Sequence, residues 1–224
     1  VIVCDHHEPG DTLPDAYAIL DPKQPTCSYP AKELSGCGVG FKLLQALTQQ
    51  QRLPEEAIYH YLDLVAISIA CDIVPIVGEN RVLAYHGLQR LNQAPRPGLK
   101  ALMERGNLRA PLGISQLVFS LGPRINAAGR VDHASLAVRL LLATAPTAAD
   151  HLASAIDKKN SLRKSFDSTA TEEALAMIKA CPQRTRAKTT VLFKEDWHKG
   201  VIGIVASRCI EQHYRPTVIL TANN

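Results

Sequence analysis

Aromatic residues are scarce: four Phe, six Tyr and one Trp make up 5% of the 224 residues. That argues against an aromatic-rich platform for stacking bare bases and leaves aliphatic side chains to form the core. Long hydrophobic runs are also missing. None approaches the roughly 20 residues that span a bilayer, and the first residues do not resemble a signal peptide, so a cytoplasmic chain with no membrane partner is expected. The six cysteines, Cys4, Cys27, Cys37, Cys71, Cys181 and Cys209, contain no C-x-x-C pair. They sit in apolar or helical patterns, which fits a reduced compartment better than a disulfide framework. A G-x-S-x-G elbow, a Walker lysine loop and a G-x-G-x-x-G fingerprint are absent as well, which weakens serine-hydrolase, NTPase and dinucleotide readings. There is no Met at position 1, and the chain reads as a piece of something longer.

What is present is an ordinary globular composition. Hydrophobic residues at 46% supply a core, and a formal charge of +4 with a pI near 8.7 is compatible with a phosphate-rich partner without identifying one. The run VIVC (1–4) predicts a short buried strand whose carboxyl end carries Asp5, His6 and His7, and AYAIL (16–20) predicts a second strand. A proline-rich loop follows, then a helix over 38–51 and another over 55–71. The second half of that helix, LVAISIAC, is apolar all round, and Asp72 comes directly after it. An amphipathic helix is expected over 79–92. After the glycine-containing segment GPRINAAGR, another helix is expected over 136–143.

Between Pro146 and Pro182 there is neither Gly nor Pro, and Leu152, Ile156, Phe166, Ala170, Ala174 and Met177 recur at helical spacing. A helix of that length spans about 50 Å and reads as a connector between two lobes; the alternative is two shorter helices broken near 160–161. Beyond it, TTVLF, GVIGIVASRCIEQHY and PTVIL read as strand, helix and strand, the βαβ unit of a parallel sheet.

Four constellations carry chemistry. Asp5-His6-His7 sits where α/β proteins bind ligands, and carboxylate with imidazole suits Mn²⁺, Fe²⁺ or Zn²⁺; surface turn residues are the plain alternative. Asp72 ends a buried helix, where a carboxylate opposes the helix dipole and calls for a compensating cation. In GPRINAAGRVDHA, Gly122 and Gly129 permit tight turns, Asn126 offers an amide, and Arg124 and Arg130 offer forked donors for phosphate; a solvated loop carries equal weight. His133 either flanks the next helix or faces a cleft. In WHKGVIGIVASR, glycines expose backbone N–H groups at a helix start, Ser207 and Arg208 follow one to two turns later, and Gly203 and Ala206 suit close helix-to-sheet packing. His60, His86, His151 and His213 read as exposed.

Taken in this order, the four segments resemble the DHH phosphoesterase superfamily and, within it, the RecJ group of single-stranded-DNA exonucleases. DHH is the triplet at 5–7. The stretch LDLVAISIACDIVPIVGENRVLAYHGLQRLN, GPRINAAGR and WHKGVIGIVASR are the more specific matches. The resemblance implies an α/β fold: a truncated parallel-sheet DHH domain over 1–145, a connector helix over 146–181, and the beginning of a DHH-associated substrate-binding domain over 182–224. It implies His6 and Asp72 as metal ligands, Asp5 as a ligand or an orienting group, and His7 as a metal-site or acid/base residue beside the scissile phosphate. Asn126, Arg130, His133, Ser207 and Arg208 would bind substrate. The implied cofactor is Mn²⁺ or Mg²⁺ in a two-metal site, the partners are single-stranded DNA with a single-strand-binding protein and a helicase, and the role is DNA repair and recombination. Relatives carry further metal-binding aspartates before the DHH segment and further domains after the region matched here. The chain is therefore expected to hold about half of a metal site and to have negligible nuclease activity alone. A nano-RNA or cyclic-dinucleotide phosphodiesterase, a non-catalytic nucleic-acid-binding relative, and an inactive α/β piece are the rival readings.

Overall fold

The structure, a computed structural model, describes residues 1–131 and 133–222. Asp132, within the GPRINAAGRVDHA segment, lies outside the described residues. The chain divides into two compact units, one of Val1–Pro123 with Ala143–Ala149, the other of Arg124–Leu142 with the residues from Asp150 onward.

In the first unit, β1 (Ile2–Cys4) pairs in parallel with β2 (Ala18–Leu20), Val3 opposite Ile19. The expected burial of β1 is not observed: Val1 is 94% and Ile2 53% exposed, because β2 is the strand's one ladder neighbour among the described residues. Helix α1 (Gly36–Gln50) starts where Ser35 Oγ accepts the Gly38 N–H at 3.2 Å, an N-cap that satisfies one free donor of the first turn.

The single helix expected over 55–71 is two, α2 (Glu56–Tyr59) and α3 (Leu62–Cys71). Its interruption has a distant cause. The Arg96 guanidinium donates to the His60 carbonyl at 3.0 Å and forks onto the Asp63 carboxylate at 2.6 and 2.8 Å. Asp63 in turn accepts the Leu64 N–H at 2.8 Å. The backbone thus has side-chain partners that compete with the helical ladder at 60–63. Beyond the break α3 is buried nearly all round, as expected, with Val65, Ala66, Ile67, Ile69 and Ala70 in the core.

Helix α4 (Gly78–Gln93) lies close against α3 at Gly87, where a side-chain carbon would overlap the Leu62 carbonyl and stand 2.6 Å from Ala66 Cβ. Then come α5 (Pro97–Arg105), α6 (Ile114–Gln116), a π-helical turn Leu117–Leu121 and α7 (Gly122–Val131). GPRINAAGR is therefore helix, not a glycine turn or solvated loop. Gly122 serves packing instead: a Cβ there would stand 2.6 Å from Cys71 Sγ.

In the second unit, α8 (Ser135–Leu141) precedes α9 (Pro146–Lys179), which enters from the first unit and runs unbroken for 34 residues; the break near 160–161 does not occur. The buried stripe of α9 includes Ile156, Ala170 and Ala174 as expected, and it also takes in polar residues. It comprises Ala153, Ile156, Asn160, Asp167, Ala170, Ala174 and Ile178, with Leu152, Phe166 and Met177 at its margins. A short helix α10 (Pro182–Arg186) leads into β3 (Thr190–Phe193), α11 (Ile202–His213) and β4 (Thr217–Leu220). The two strands are parallel, Val191 opposite Val218, so the expected βαβ unit is present. Its core joins Ala174 and Ile178 of α9 to Leu192, Trp197, Val201, Val205, Cys209 and Ile219. Gly203 does not pack on the sheet; it is exposed with open space around it. His213, expected at the surface, is half-buried, with Nε2 shielded and without a hydrogen-bond partner among the described residues, while His60, His86 and His151 are exposed.

Two outcomes follow from this packing. Replacing Gly87 by Ala should destabilise the first unit by about 2 kcal/mol, despite the roughly 1 kcal/mol gain in helix propensity, as read by urea unfolding. In the second unit, Glu173 accepts from Lys194 Nζ at 2.7 Å and Trp197 Nε1 at 2.8 Å, and these bonds hold its carboxyl below the usual range. A carboxyl depressed in the folded state stabilises above its unfolded pKa and loses that contribution as pH falls through the folded value. Glu173→Gln should therefore flatten the acid limb of a stability–pH curve below about pH 4.5; an unchanged limb would exclude this role.

Candidate metal centre and phosphate-binding residues

Strand β1 ends at Cys4, and the Asp5 N–H still donates to the Leu20 carbonyl at 3.0 Å, which holds the triplet at the carboxyl edge of the sheet. Asp5 Oδ1 then accepts from the His6 N–H at 2.7 Å, the His7 N–H at 3.2 Å and His7 Nδ1 at 2.7 Å. The His7 ring bond, then the two backbone bonds, bring the Asp5 carboxyl down to about 2. A tight turn bent around one carboxylate lets two adjacent imidazoles share a face, their centroids 4.4 Å apart, which an extended strand would forbid.

His6 points inward beside Gly36, where a side-chain carbon would meet its ring at 3.4 Å. Its Nε2 stands 3.7 Å from Asp72 Oδ2. That is too long for a hydrogen bond and near the roughly 3 to 3.5 Å that two donors on one ion keep when metal bonds are about 2.1 Å. Asp72 caps the end of α3 and accepts from Ser68 Oγ at 3.1 Å, and Ser68 Oγ itself accepts the Cys37 N–H at 3.3 Å. The following Ile73 has φ +55°, an unusual left-handed conformation for a β-branched residue at the lip of the site.

These groups line a cavity of about 370 Å³ with Glu8, Lys23, Glu33, Val74 and Pro75. Lys23 Nζ lies 3.5 Å from Glu8 and 3.7 Å from Glu33, so two carboxylates meet one ammonium, and with Asp72 the wall carries more acidic than basic groups. Among the described residues no group of three or more His, Cys, Asp or Glu converges as metal ligands; His6 and Asp72 form a pair. Beside the site, burial pushes the Cys71 thiol up to about 11.

The remaining expected residues lie in the second unit. Arg130, near the end of α7, donates from Nη1 to the Gly200 carbonyl at 3.2 Å. Gly200 is required there, because a side-chain carbon would overlap the Arg130 carbonyl. Asn126 is exposed on the same helix. Arg124 is tied to Asp157 at 3.1 Å. His133 Nδ1 accepts the Ser135 N–H at 3.2 Å, so its ring flanks the start of α8. At the start of α11, His198 Nδ1 takes the Gly200 N–H at 3.0 Å while its ring stacks on Phe166 at 4.9 Å. On α11, Ser207 Oγ bonds back to the Gly203 carbonyl at 3.1 Å, and Arg208 reaches the buried Asp167 at 2.9 Å.

Residues that pattern reading missed are Ser68, which braces Asp72, and Arg163 and Asp167 on α9. The i, i+4 spacing of the last two was a readable signal, hidden because the polar residues of a long helix are ordinarily solvated.

Residues 1–69 match the DHH family, N-terminal domain. The single-stranded-DNA-specific exonuclease RecJ of Bacillus subtilis is 43% identical over 98% of this chain, which covers 27% of that protein. RecJ of Salmonella typhimurium is 41% identical over 97% of the chain, covering 40% of it. A crystal structure of RecJ in complex with Mn²⁺ from Thermus thermophilus superimposes with a TM-score of 0.86 at 34% identity, over 98% of this chain and 32% of that one. The chain thus spans well under half the length of these relatives. Its residues 1–69 are similar to the N-terminal domain of the DHH family, and nearly its whole length is homologous to a segment of the RecJ single-stranded-DNA-specific exonucleases.

Proposed function

We propose that this chain is part of the catalytic core of a metal-dependent, 5′-to-3′ single-stranded-DNA exonuclease. The observation that carries the reading is the approach of His6 to Asp72, 3.7 Å apart across 65 residues of sequence, in a cavity walled by carboxylates. Imidazole with carboxylate suits Mn²⁺, and Mn²⁺-bound RecJ has this fold. His6 and Asp72 would hold the ion, with Ser68 Oγ bonded to Asp72. Divalent ions held there, two in the proposed complete site, would supply a water of lowered pKa and charge neutralisation on the phosphate. Asp5 sets the orientation of His7, whose exposed ring would exchange a proton with the attacking water or the leaving oxygen. Asn126, Arg130, His133, Ser207 and Arg208 would hold strand phosphates, with α9 as connector and 182–224 as the start of a DHH-associated domain. The setting would be cytoplasmic DNA repair and recombination, with a single-strand-binding protein and a helicase as partners.

Titration calorimetry of this chain should show Mn²⁺ binding on the order of tens of micromolar or weaker, since two side chains make a poor cage. His6→Gln or Asp72→Asn should weaken it further by at least about tenfold. Tight stoichiometric binding, or binding indifferent to both substitutions, would count against the pair.

In a protein of the relatives' length containing this chain, Mn²⁺-dependent release of nucleotides from 5′-phosphorylated single-stranded DNA is expected. His7→Ala should lower kcat by about 10² to 10⁴. Cleavage confined to short RNA or a cyclic dinucleotide would overturn the assignment.

A further inference from the structure

The buried stripe of α9 is apolar at both ends and polar in the middle. Asn160 and Asp167 are 2% and 3% exposed between Ile156 and Ala170, and Arg163 lies between them on the same face. Its guanidinium donates to Asn160 Oδ1 at 3.3 and 3.4 Å and stands 3.9 Å from Asp167 Oδ2, which Arg208 of α11 also meets at 2.9 Å. One shielded carboxylate therefore serves two guanidiniums.

We propose that Arg163 is a further phosphate-binding residue of the second unit, held ready by Asn160 and Asp167, and that Asp167 is the buried pivot fixing the Arg208 head beside it. The inference rests on the reading of the protein as a single-strand nuclease and adds a residue to its substrate surface.

A purely structural pair would need one cation for one anion. Here a second guanidinium is drawn into partly buried space, its side chain 13% exposed, and Arg130 is close enough to add repulsion. Burial lowers the proton affinity of Arg163, Asp167 opposes that, and Arg130 and Arg208 deepen it. Like charges gathered around one carboxylate are relieved by an arriving anion. A strand phosphate matches the forked donors of guanidinium groups and takes more than one of them. Holding the heads in place beforehand also removes ordering cost at the moment of binding.

The test is fluorescence anisotropy of this chain with an oligothymidylate probe across a salt series. The probe is used 5′-phosphorylated and 5′-hydroxyl to separate terminal from internal phosphates, with circular-dichroism melts confirming that each variant folds. Arg163→Met should weaken binding by about tenfold and reduce the slope of log K against log salt by about 0.7, one phosphate contact on a single strand. Arg163→Lys should keep the slope while losing part of the affinity. A wild-type slope in Arg163→Met, or loss of slope in Arg163→Lys, would overturn the inference and leave the functional reading standing. Absence of salt-dependent binding by the wild-type chain would overturn both.

Discussion

The burial of helix α3 on nearly every side is the constraint from which the first unit follows. Val65, Ala66, Ile69 and Ala70 are buried and leave only the half-buried stripe of Leu64, Ser68 and Cys71 toward solvent, and side chains such as Val65 and Ile69 each contribute about 1.5–3 kcal/mol. It is pinned at three levels: at its start by the Arg96 fork on Asp63, along its length by the side-chain-free Gly87 of α4, and at its end by Cys71 seated against Gly122. A helix so fixed ends in one place. That end carries Asp72, and the turn after β1 brings His6 to meet it.

The two units offer opposite charge. In the first, the carboxylates of Glu8, Glu33 and Asp72 and the imidazoles of His6 and His7 line one cavity. In the second, Arg163 of α9 and Arg208 of α11 share the one carboxylate of Asp167.

Much of this was legible in the residues. A β-branched run ending in Asp-His-His, a carboxylate after a buried helix, and alternating strand and helix near the carboxyl end all follow from local periodicity and appear as expected. What stayed hidden depended on partners far away in sequence. The break at 60–61 is made by Arg96, which no local pattern links to His60. Gly122 reads as turn chemistry in GPRINAAGR, yet it stays helical because its missing side chain makes room for Cys71, 51 residues earlier. Arg163 and Asp167 look like solvated residues of a long helix until Arg208 is placed beside them. The exposure of β1 was likewise invisible, since VIVC has the composition of a buried strand whether or not neighbours flank it.

The central claim is that His6, and not its neighbour, joins Asp72 on the ion. Pulsed electron paramagnetic resonance on the Mn²⁺-loaded chain tests it most directly. A ¹⁴N modulation from a coordinated imidazole should be present in the wild type, persist in His7→Gln and vanish in His6→Gln. Modulation that survives His6→Gln, or that is lost only in His7→Gln, would contradict the account.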